Sequence, residues 1–363
     1  MSENQRFQPE SSVSFCSSLK DGAWHDLAGP NAFERWHFDA VSDDGREALV
    51  ITFYDNYALS PRYYETRRSN AAVNGGSAHI KPQFPALSFV YSVDGKTVLS
   101  SVHEYRQDEF KASQNNAECL LGKSSFRVDT AEYGSGFVTK IDMGTIRNRS
   151  IRAELEWLSV ESDLLHADTK PAQTIWNIVA PRSDVSGRIT LIGRSGKTQK
   201  MIHFRGTGYH DHICSKDSAN GSVGPRHWGR AHFNDTTVVF EHHPNSVSTP
   251  SKLILIRDGT IHERNVSSET TEVKRDRYGL KIPRRISLVS DDNIRLRVKP
   301  SSVIRSGFSE VKMLSEMTLM LRDGKPRKTF GITEFIEPGR MKNRLVRWLS
   351  DLAIGKERRS PLF

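Results

Sequence analysis

The chain has little with which to staple itself covalently or to cross a membrane. Its 363 residues include three cysteines, Cys16, Cys119 and Cys214, odd in number and far apart. That describes neither a disulfide framework nor a zinc site. No run of 18 or more apolar residues occurs, so no spanning helix is expected. The first twenty residues are polar and lack the apolar stretch of a secretory signal, which makes a cytoplasmic address the default expectation. A Gly-x-Gly-x-x-Gly turn after a strand, a phosphate loop and a Gly-x-Ser-x-Gly elbow are also missing. Gly193-Arg194-Ser195-Gly196-Lys197 has the wrong spacing for a phosphate cradle and reads as a hairpin turn. No nucleotide or other cofactor is therefore expected.

What remains is an ordinary soluble composition, 36% hydrophobic and 26% charged, with a formal net charge of +9. The length predicts two domains. Much of the positive excess sits at 274–277, 284–285 and 340–359. No basic motif interleaved with aromatics is present, so nucleic acid is not expected as a partner. A membrane surface and a merely basic solvent face both stay open.

The dominant local signal is Asp-Gly between β-rich runs, the strongest short-range mark of a hairpin. It occurs at Asp44-Gly45, Asp94-Gly95, Asp258-Gly259 and Asp323-Gly324. Further strands fit 125–129, 137–143, 150–159, 187–192, 199–205, 238–242, 286–289 and 294–298. Many short strands with few helical stretches predict an all-β, antiparallel chain of two barrels or sandwiches. The Gly/Ser/Asn-rich segment 218–225 is the best boundary. It gives a loose N-terminal segment 1–30 with a fold-back near Trp24, a first β domain 31–220 and a second 221–363. The one convincing helix is 339–354, with Met341, Leu345, Trp348, Leu349 and Leu352 on one face and Arg340, Lys342, Arg344 and Arg347 on the others. It reads either as a barrel cap or as a peripheral membrane contact through 339–359.

Chemistry concentrates in Gly206-Thr207-Gly208-Tyr209-His210-Asp211-His212 and His227-Trp228-Gly229-Arg230-Ala231-His232. On a strand, alternation puts Tyr209 and Asp211 on one face and His210 and His212 on the other. An aspartate in an apolar cavity can stay protonated and act as an acid, with a tyrosine holding it or positioning water. A turn-capping Asp and a core Tyr are the plainer alternative. His210 and His212, with His227 or His232, also make a conceivable metal set, but Asp211 would point away from it, and no metal is assigned. Cys214 reads as a buried small side chain, although a thiol role stays open. Trp176 is either core or a π face for a cationic intermediate.

Four motifs in order carry a family resemblance. Trp36-His37-Phe38-Asp39-Ala40-Val41-Ser42-Asp43-Asp44-Gly45, then Trp176-x-x-Val179-Ala180-Pro181-Arg182, then Gly208-Tyr209-His210-Asp211-His212, then His227-Trp228-Gly229-Arg230-Ala231 resemble the carotenoid 1,2-hydratase (hydroxyneurosporene synthase) family, grouped with AttH-like proteins. The match covers roughly 33–240, and Gly331-Ile332-Thr333-Glu334-Phe335-Ile336-Glu337 resembles the family's closing strand. The resemblance implies two lipocalin-like β domains and cofactor-free addition of water to an isolated terpenoid double bond. By position it makes Tyr209 and Asp211 the acid/base pair and Trp176 the pocket tryptophan. Trp228, His210, His212, His227 and Thr174 are expected as substrate-binding neighbours. Thr174 stands where family members commonly carry histidine, and Ile213-Cys214-Ser215 replaces their Asn-Trp-Gly. The same resemblance reaches kievitone-hydratase-like proteins and fungal lipocalin-like Diels–Alderases. A hydro-lyase, a non-catalytic carrier of an apolar ligand and a cyclase on the same scaffold are the readings carried forward.

Overall fold

The computed structural model of the protein describes residues 13–29, 32–73, 83–131, 134–161, 164–166, 174–216, 224–244, 250–322, 324–356 and 359–362. The expected hairpins form where the turn chemistry placed them. Phe33–Ser42 and Glu47–Tyr54 pair antiparallel across Gly45, as do Ala86–Val93 and Lys96–Glu104 across Asp94-Gly95. Asp94 and Gly95 have φ of 49° and 70°, the left-handed pair that a two-residue hairpin turn requires. Asp258-Gly259 joins Ser251–Arg257 to Thr260–Arg275 in the same way. Of the fourth signal, Asp323 lies outside the described residues; its flanking strands Glu310–Met320 and Arg327–Ile336 do pair antiparallel.

The strands make two sheets. The first has twelve strands and is open. Its middle is Glu47–Tyr54, Phe33–Ser42, Thr198–Ser215, Thr174–Ile192 and Arg149–Glu161, in that spatial order, with Val13–Cys16 added in parallel to Thr174–Ile192. The sheet curls into a half-barrel, and Ser101 Oγ in Lys96–Glu104 donates to the Gly144 carbonyl in Gly134–Thr145 at 2.8 Å. Its concave side buries Trp36, Phe38, Phe126, Phe137 and Trp157. The second sheet has nine strands among the described residues. The short Leu165–His166 adds in parallel to Thr260–Arg275. The other eight, from Arg226–His232 onward, close into a barrel, because Thr260–Arg275 pairs with Lys281–Ser290 as well as with Ser251–Arg257. Its interior holds Phe240, Leu253, Leu288, Leu296 and Met317. The chain is thus all-β, as the turn pattern predicts. Apart from Leu165–His166, which joins the barrel's sheet between two strands of the half-barrel, the chain passes from the first sheet to the barrel between Ser215 and Arg226; residues 217–223 lie outside the described residues.

Two strands are longer than their local signals suggested. Thr174–Ile192 and Thr198–Ser215 form one long hairpin whose turn is the Gly193–Lys197 segment, with the Gly193 amide donating to the Lys197 carbonyl at 2.9 Å. The glycines before Tyr209 are demanded by close approach. A Cβ on Gly206 would lie 2.1 Å from the Val41 carbonyl oxygen, and one on Gly208 would lie 2.4 Å from the Val185 side chain. Removing both lets Thr198–Ser215 run tight against Phe33–Ser42.

The helices correct the sequence reading twice. Pro61–Val73 is helical and was not foreseen, because Arg62-Tyr63-Tyr64-Glu65-Thr66-Arg67-Arg68 shows no apolar stripe. The C-terminal helix is Arg344–Ala353, capped by the Asn343 side chain, after a short 3-10 turn at Pro338–Lys342. Its buried residues are Val346, Arg347 and Ser350, while Leu345 and Trp348 are about 60% exposed. Arg347 leaves water because it meets Glu65 at 3.3 Å and lies over the Tyr64 ring. The fold-back near Trp24 is present as a 3-10 turn, Lys20–Gly22, after which the Trp24 amide donates to the Ser113 carbonyl. Among the described residues no helix is long and apolar enough to cross a membrane.

Candidate functional site

Strand alternation does at Tyr209 and Asp211 what the sequence predicts. Both side chains leave Thr198–Ser215 on the face that meets the barrel and are fully buried with Phe15, Trp176, Ile178, Trp228, Val239 and Ile254. This seam between the sheets brings Tyr209 and Asp211 together with Trp176 and Trp228. Trp176 Nε1 donates to Asp211 Oδ2 at 2.9 Å, and Trp228 Nε1 donates to Glu334 Oε2 at 2.9 Å. The two indoles meet edge to face, 5.5 Å apart. The Tyr209 hydroxyl lies beside Asp211 without completing a hydrogen bond. Burial first, and then the Asp211 carboxylate, push its pKa well above the ordinary phenol value.

Around this pair the seam holds charges that an apolar interface would not tolerate unpaired. Asp39 accepts from Arg230 Nε at 2.5 Å and lies 3.0 Å from His37 Nε2. Burial alone would raise the Asp39 pKa; Arg230 and His37 outweigh it and hold it below the usual carboxylate range. Burial would likewise raise Glu334, but Lys312, Arg35 and His37 hold it low, and Lys312 Nζ donates directly to its Oε1. Arg35 bridges the two halves of the arrangement. Its guanidinium sits 5.0 Å over the Trp228 ring and 3.7 Å from Glu334 Oε2. Burial works against its charge, and Asp211 followed by Glu334 more than offsets it, so its pKa is raised. Arg35 Nε and Nη2, Tyr209 Oη and Asp211 Oδ1 have no protein hydrogen-bond partner. Buried polar atoms in that condition are uncommon and call for an explanation.

Other expected neighbours lie elsewhere. His210 points the opposite way, into the half-barrel, where it stacks on Phe38 at 3.8 Å and its Nδ1 lies 3.0 Å from the His37 carbonyl oxygen. Burial pushes its pKa down to about 3. His212 shares that face but packs flat on Trp36, beside Glu34 and His25. His227 faces the barrel interior between Phe240 and Phe335. Strand parity therefore points these three side chains away from the Tyr209–Asp211 pair. The conceivable metal set of His210 and His212 with His227 or His232 does not assemble: His210 and His212 share a face but stack on Phe38 and Trp36, His227 lies beside Phe240, and His232 Nδ1 lies 3.0 Å from the Thr237 hydroxyl. Thr174 begins its strand, and its hydroxyl is 2.7 Å from that of Ser215. Cys214 is buried, as expected of a small apolar side chain. The seam's own histidine is His37, its ring edge-on to Trp228 at 5.1 Å.

The sequence reading missed Arg35 and Lys312, and quoted Asp39, Arg230 and Glu334 only within motifs. A signal existed. Arg35, His37 and Asp39 stand at i, i+2 and i+4, a charged face on a strand whose other face is Trp36, Phe38 and Ala40. The pair was also expected to line a ligand cavity. Two surface cavities lie away from it: one of about 490 Å³ near His103, Tyr105 and Met143, and one of about 550 Å³ at the barrel rim, lined by Thr97, Arg275, Arg277, Arg284 and Met313 among others.

Comparison with known proteins gives the following. No protein-family model matches the chain. It is 21% identical over 339 residues to a hydroxyneurosporene dehydrogenase of Chlorobaculum tepidum, spanning 90% of this chain and 88% of that one. Among solved structures, an AttH-type protein from Nitrosomonas europaea superposes with a TM-score of 0.58 at 14% identity, covering 87% of this chain and 95% of the other. CghA gives 0.60 at 15% identity, covering 91% and 94%. CghA with Sch210972 gives 0.58 at 14%, covering 92% and 97%. The AttH-like, lipocalin-like resemblance carried by the four motifs is borne out in the fold.

Proposed function

We propose that the chain is an enzyme of the lipocalin-like fold that acts on a hydrophobic, terpenoid-like substrate in the seam, and that the reaction is addition of water to an alkene. The observation that carries the reading is the buried set Asp211, Tyr209, Trp176 and Arg35, in which Asp211 Oδ1 and Tyr209 Oη have no protein partner while Asp211 Oδ2 is fixed by the Trp176 indole. An acid/base pair needs one atom held and one atom free. The forward step starts from the acid form of Asp211, not the carboxylate that faces Arg35 at rest, and its Oδ1 gives its proton to one alkene carbon. The π electrons form that C–H bond and leave a tertiary cation on the other carbon. Water held by Tyr209 adds its oxygen to the cation, and the surplus proton returns to the Asp211 carboxylate. The net change is alkene plus water to alcohol.

Trp228 already carries the Arg35 guanidinium on its face, so stabilising the cation falls to Trp176. The fully buried state of the pair means that substrate enters only when the seam side chains move. An apolar substrate is held in a lipid phase, and we assign the contact with that phase to the C-terminal helix, where Leu345 and Trp348 face outward beside Lys342 and Arg344.

The curated relative is named for hydroxyneurosporene, which makes that carotenol the first compound to test. Incubation with the protein in heavy-oxygen water separates the readings. A hydro-lyase exchanges the hydroxyl oxygen with solvent and forms the alkene, and Asp211→Asn abolishes the exchange while the protein stays folded. Loss of two hydrogens marks a dehydrogenase, an unchanged bound ligand marks a carrier, and an isomer with a new skeleton marks a cyclase. Full exchange by Asp211→Asn would remove Asp211 from the chemistry.

A further inference from the structure

The reverse face of the same strand carries a second cluster that the hydration reading does not use. His212 is buried and stacked between the Trp36 and His25 rings, 4.8 Å and 5.3 Å away. Its Nδ1 lies 3.1 Å from the Asp21 backbone carbonyl oxygen. A carbonyl oxygen has only lone pairs to offer, so Nδ1 carries the ring proton and donates it. Nε2 is then left with a lone pair, and it points at Glu34 Oε2, 3.1 Å away. His25 Nδ1 approaches that same oxygen at 3.3 Å. Two filled lone pairs facing each other in a buried site repel unless a proton or a metal ion lies between them. The arrangement is what metal-binding imidazoles use elsewhere: one nitrogen on the ion, the other held by a carbonyl that fixes the tautomer and ring orientation.

We propose that His25, Glu34 and His212 bind a divalent transition-metal ion of the zinc class. The three candidate ligand atoms lie within 4.8 Å of one another. Bonds of about 2.0–2.2 Å to nitrogen and carboxylate oxygen need only a small contraction from there. Two imidazoles and one carboxylate favour zinc over magnesium or calcium, which prefer all-oxygen sets. The His25 side chain is 33% exposed, so the ion exchanges with solvent on that side and its fourth position is open to water. Cys214 lies beside the His25 ring on the same side. The ion would pin the turn carrying Asp21 and His25 onto the two strands that supply Glu34 and His212. Those strands are the ones whose other face carries Arg35 and Asp211, so the site braces the seam from behind without touching it.

The test uses full-length protein without an affinity tag, stripped with EDTA and dialysed against zinc. Metal analysis should find about one zinc per chain. Cobalt in its place should give the visible absorption of a four-coordinate ion. Competition with a chromophoric chelator should show His25→Ala and His212→Gln weakening zinc binding by more than about tenfold, each with an unchanged circular dichroism spectrum. His25→Ala alone decides the matter should His212→Gln fail to fold, because His25 is partly exposed and its ring is not part of the packed core. Less than about a tenth of a zinc per folded wild-type chain would overturn the proposal and leave a proton as the bridge. Wild-type affinity in His25→Ala would overturn it equally, by placing the ion elsewhere.

Discussion

The two faces of Phe33–Ser42 are built by opposite rules. One face sends Trp36, Phe38 and Ala40 into the half-barrel among Phe126, Phe137 and Trp157. The other sends Arg35, His37 and Asp39 into the seam, where Arg35 and Asp39 find charged partners across the two sheets in Glu334 and Arg230, and His37 meets Asp39 on its own strand. Both faces are equally dry. The difference is that apolar packing gains from burial directly, whereas a buried ion pair repays its desolvation only with good geometry and often does no better than apolar side chains of the same size. A fold that needed only a stable junction would not select the second solution. On the proposed function, the charged face serves the Tyr209–Asp211 pair rather than the joint between the sheets.

The sharpest way to break this contrast is to remove the Asp39–Arg230 pair in two steps. Arg230→Met strands a buried carboxylate and should lose about 3–5 kcal/mol in urea unfolding. Asp39→Leu with Arg230→Met removes both charges and should recover most of that loss, yet give no turnover. Phe38→Ala on the opposite face should cost a similar ~3–5 kcal/mol, through a cavity that no partner substitution at the seam repairs. A double variant less stable than Arg230→Met alone would show that the seam charges hold the fold, and the contrast would fail.

A smaller effect separates the seam from the barrel interior by pH. Burial, reinforced by His242, pushes the His227 pKa down from 6.5 to about 3, and neither ring nitrogen has a protein partner. The unfolded chain takes up that proton below about 6.5 and the folded chain not until about 3. Its contribution is thus fully present above 6.5 and fades as the pH falls towards 3. His242, lowered to about 4, acts in the same window. The seam carboxylates Asp39 and Glu334 are also lowered, from ordinary values of 3.8 and 4.5, so their contribution fades only below those values. His227→Phe should therefore flatten the decline in urea midpoint between pH 6.5 and about 4.5 and leave the steeper fall beneath it. The histidine's share is at most about 1.4 kcal/mol per pH unit. An unaltered upper limb would mean that the barrel interior admits water to His227.

What the sequence made legible was local. Asp-Gly turns, the two close-approach glycines at 206 and 208, and the parity of Tyr209 and Asp211 all follow from rules spanning a few residues. What it hid depends on topology. Asp39 and Arg230 stand 191 residues apart, and Trp228 and Glu334 stand 106 apart. Nothing at either position alone distinguishes a buried partner from a solvated charge. His25 was hidden for the same reason, since only the fold-back at Lys20–Gly22 brings it to Glu34 and His212. The C-terminal helix shows the limit from the other direction. Its periodicity is genuine, and Val346, Leu349 and Ala353 pack inward with Met341 and Phe308. Glu65 and Tyr64 of a second helix with no apolar stripe of its own also draw Arg347 inside, while Leu345 and Trp348 stay out.

That inversion supplies the smallest expected effect and the cleanest control on the reading of charge inside and apolar outside. Leu345 and Trp348 project from Arg344–Ala353 beside basic residues. Replacing both by serine removes no packed contact of the core and should change unfolding stability by no more than about 0.5 kcal/mol. An amphipathic contact with an anionic bilayer combines buried apolar area with attraction of basic side chains, and a tryptophan at the interface is a large part of the former. Co-sedimentation with phosphatidylserine-containing vesicles at low salt should therefore fall severalfold in the double variant and fade for the wild type as salt is raised. Arg347→Gln should do the reverse: it loses the Glu65 contact and stability without weakening vesicle binding, because its guanidinium is already turned away from the surface. Vesicle binding that survives Leu345→Ser with Trp348→Ser would move the lipid contact to another basic face, of which the barrel rim around Arg275, Arg277 and Arg284 is the first to test.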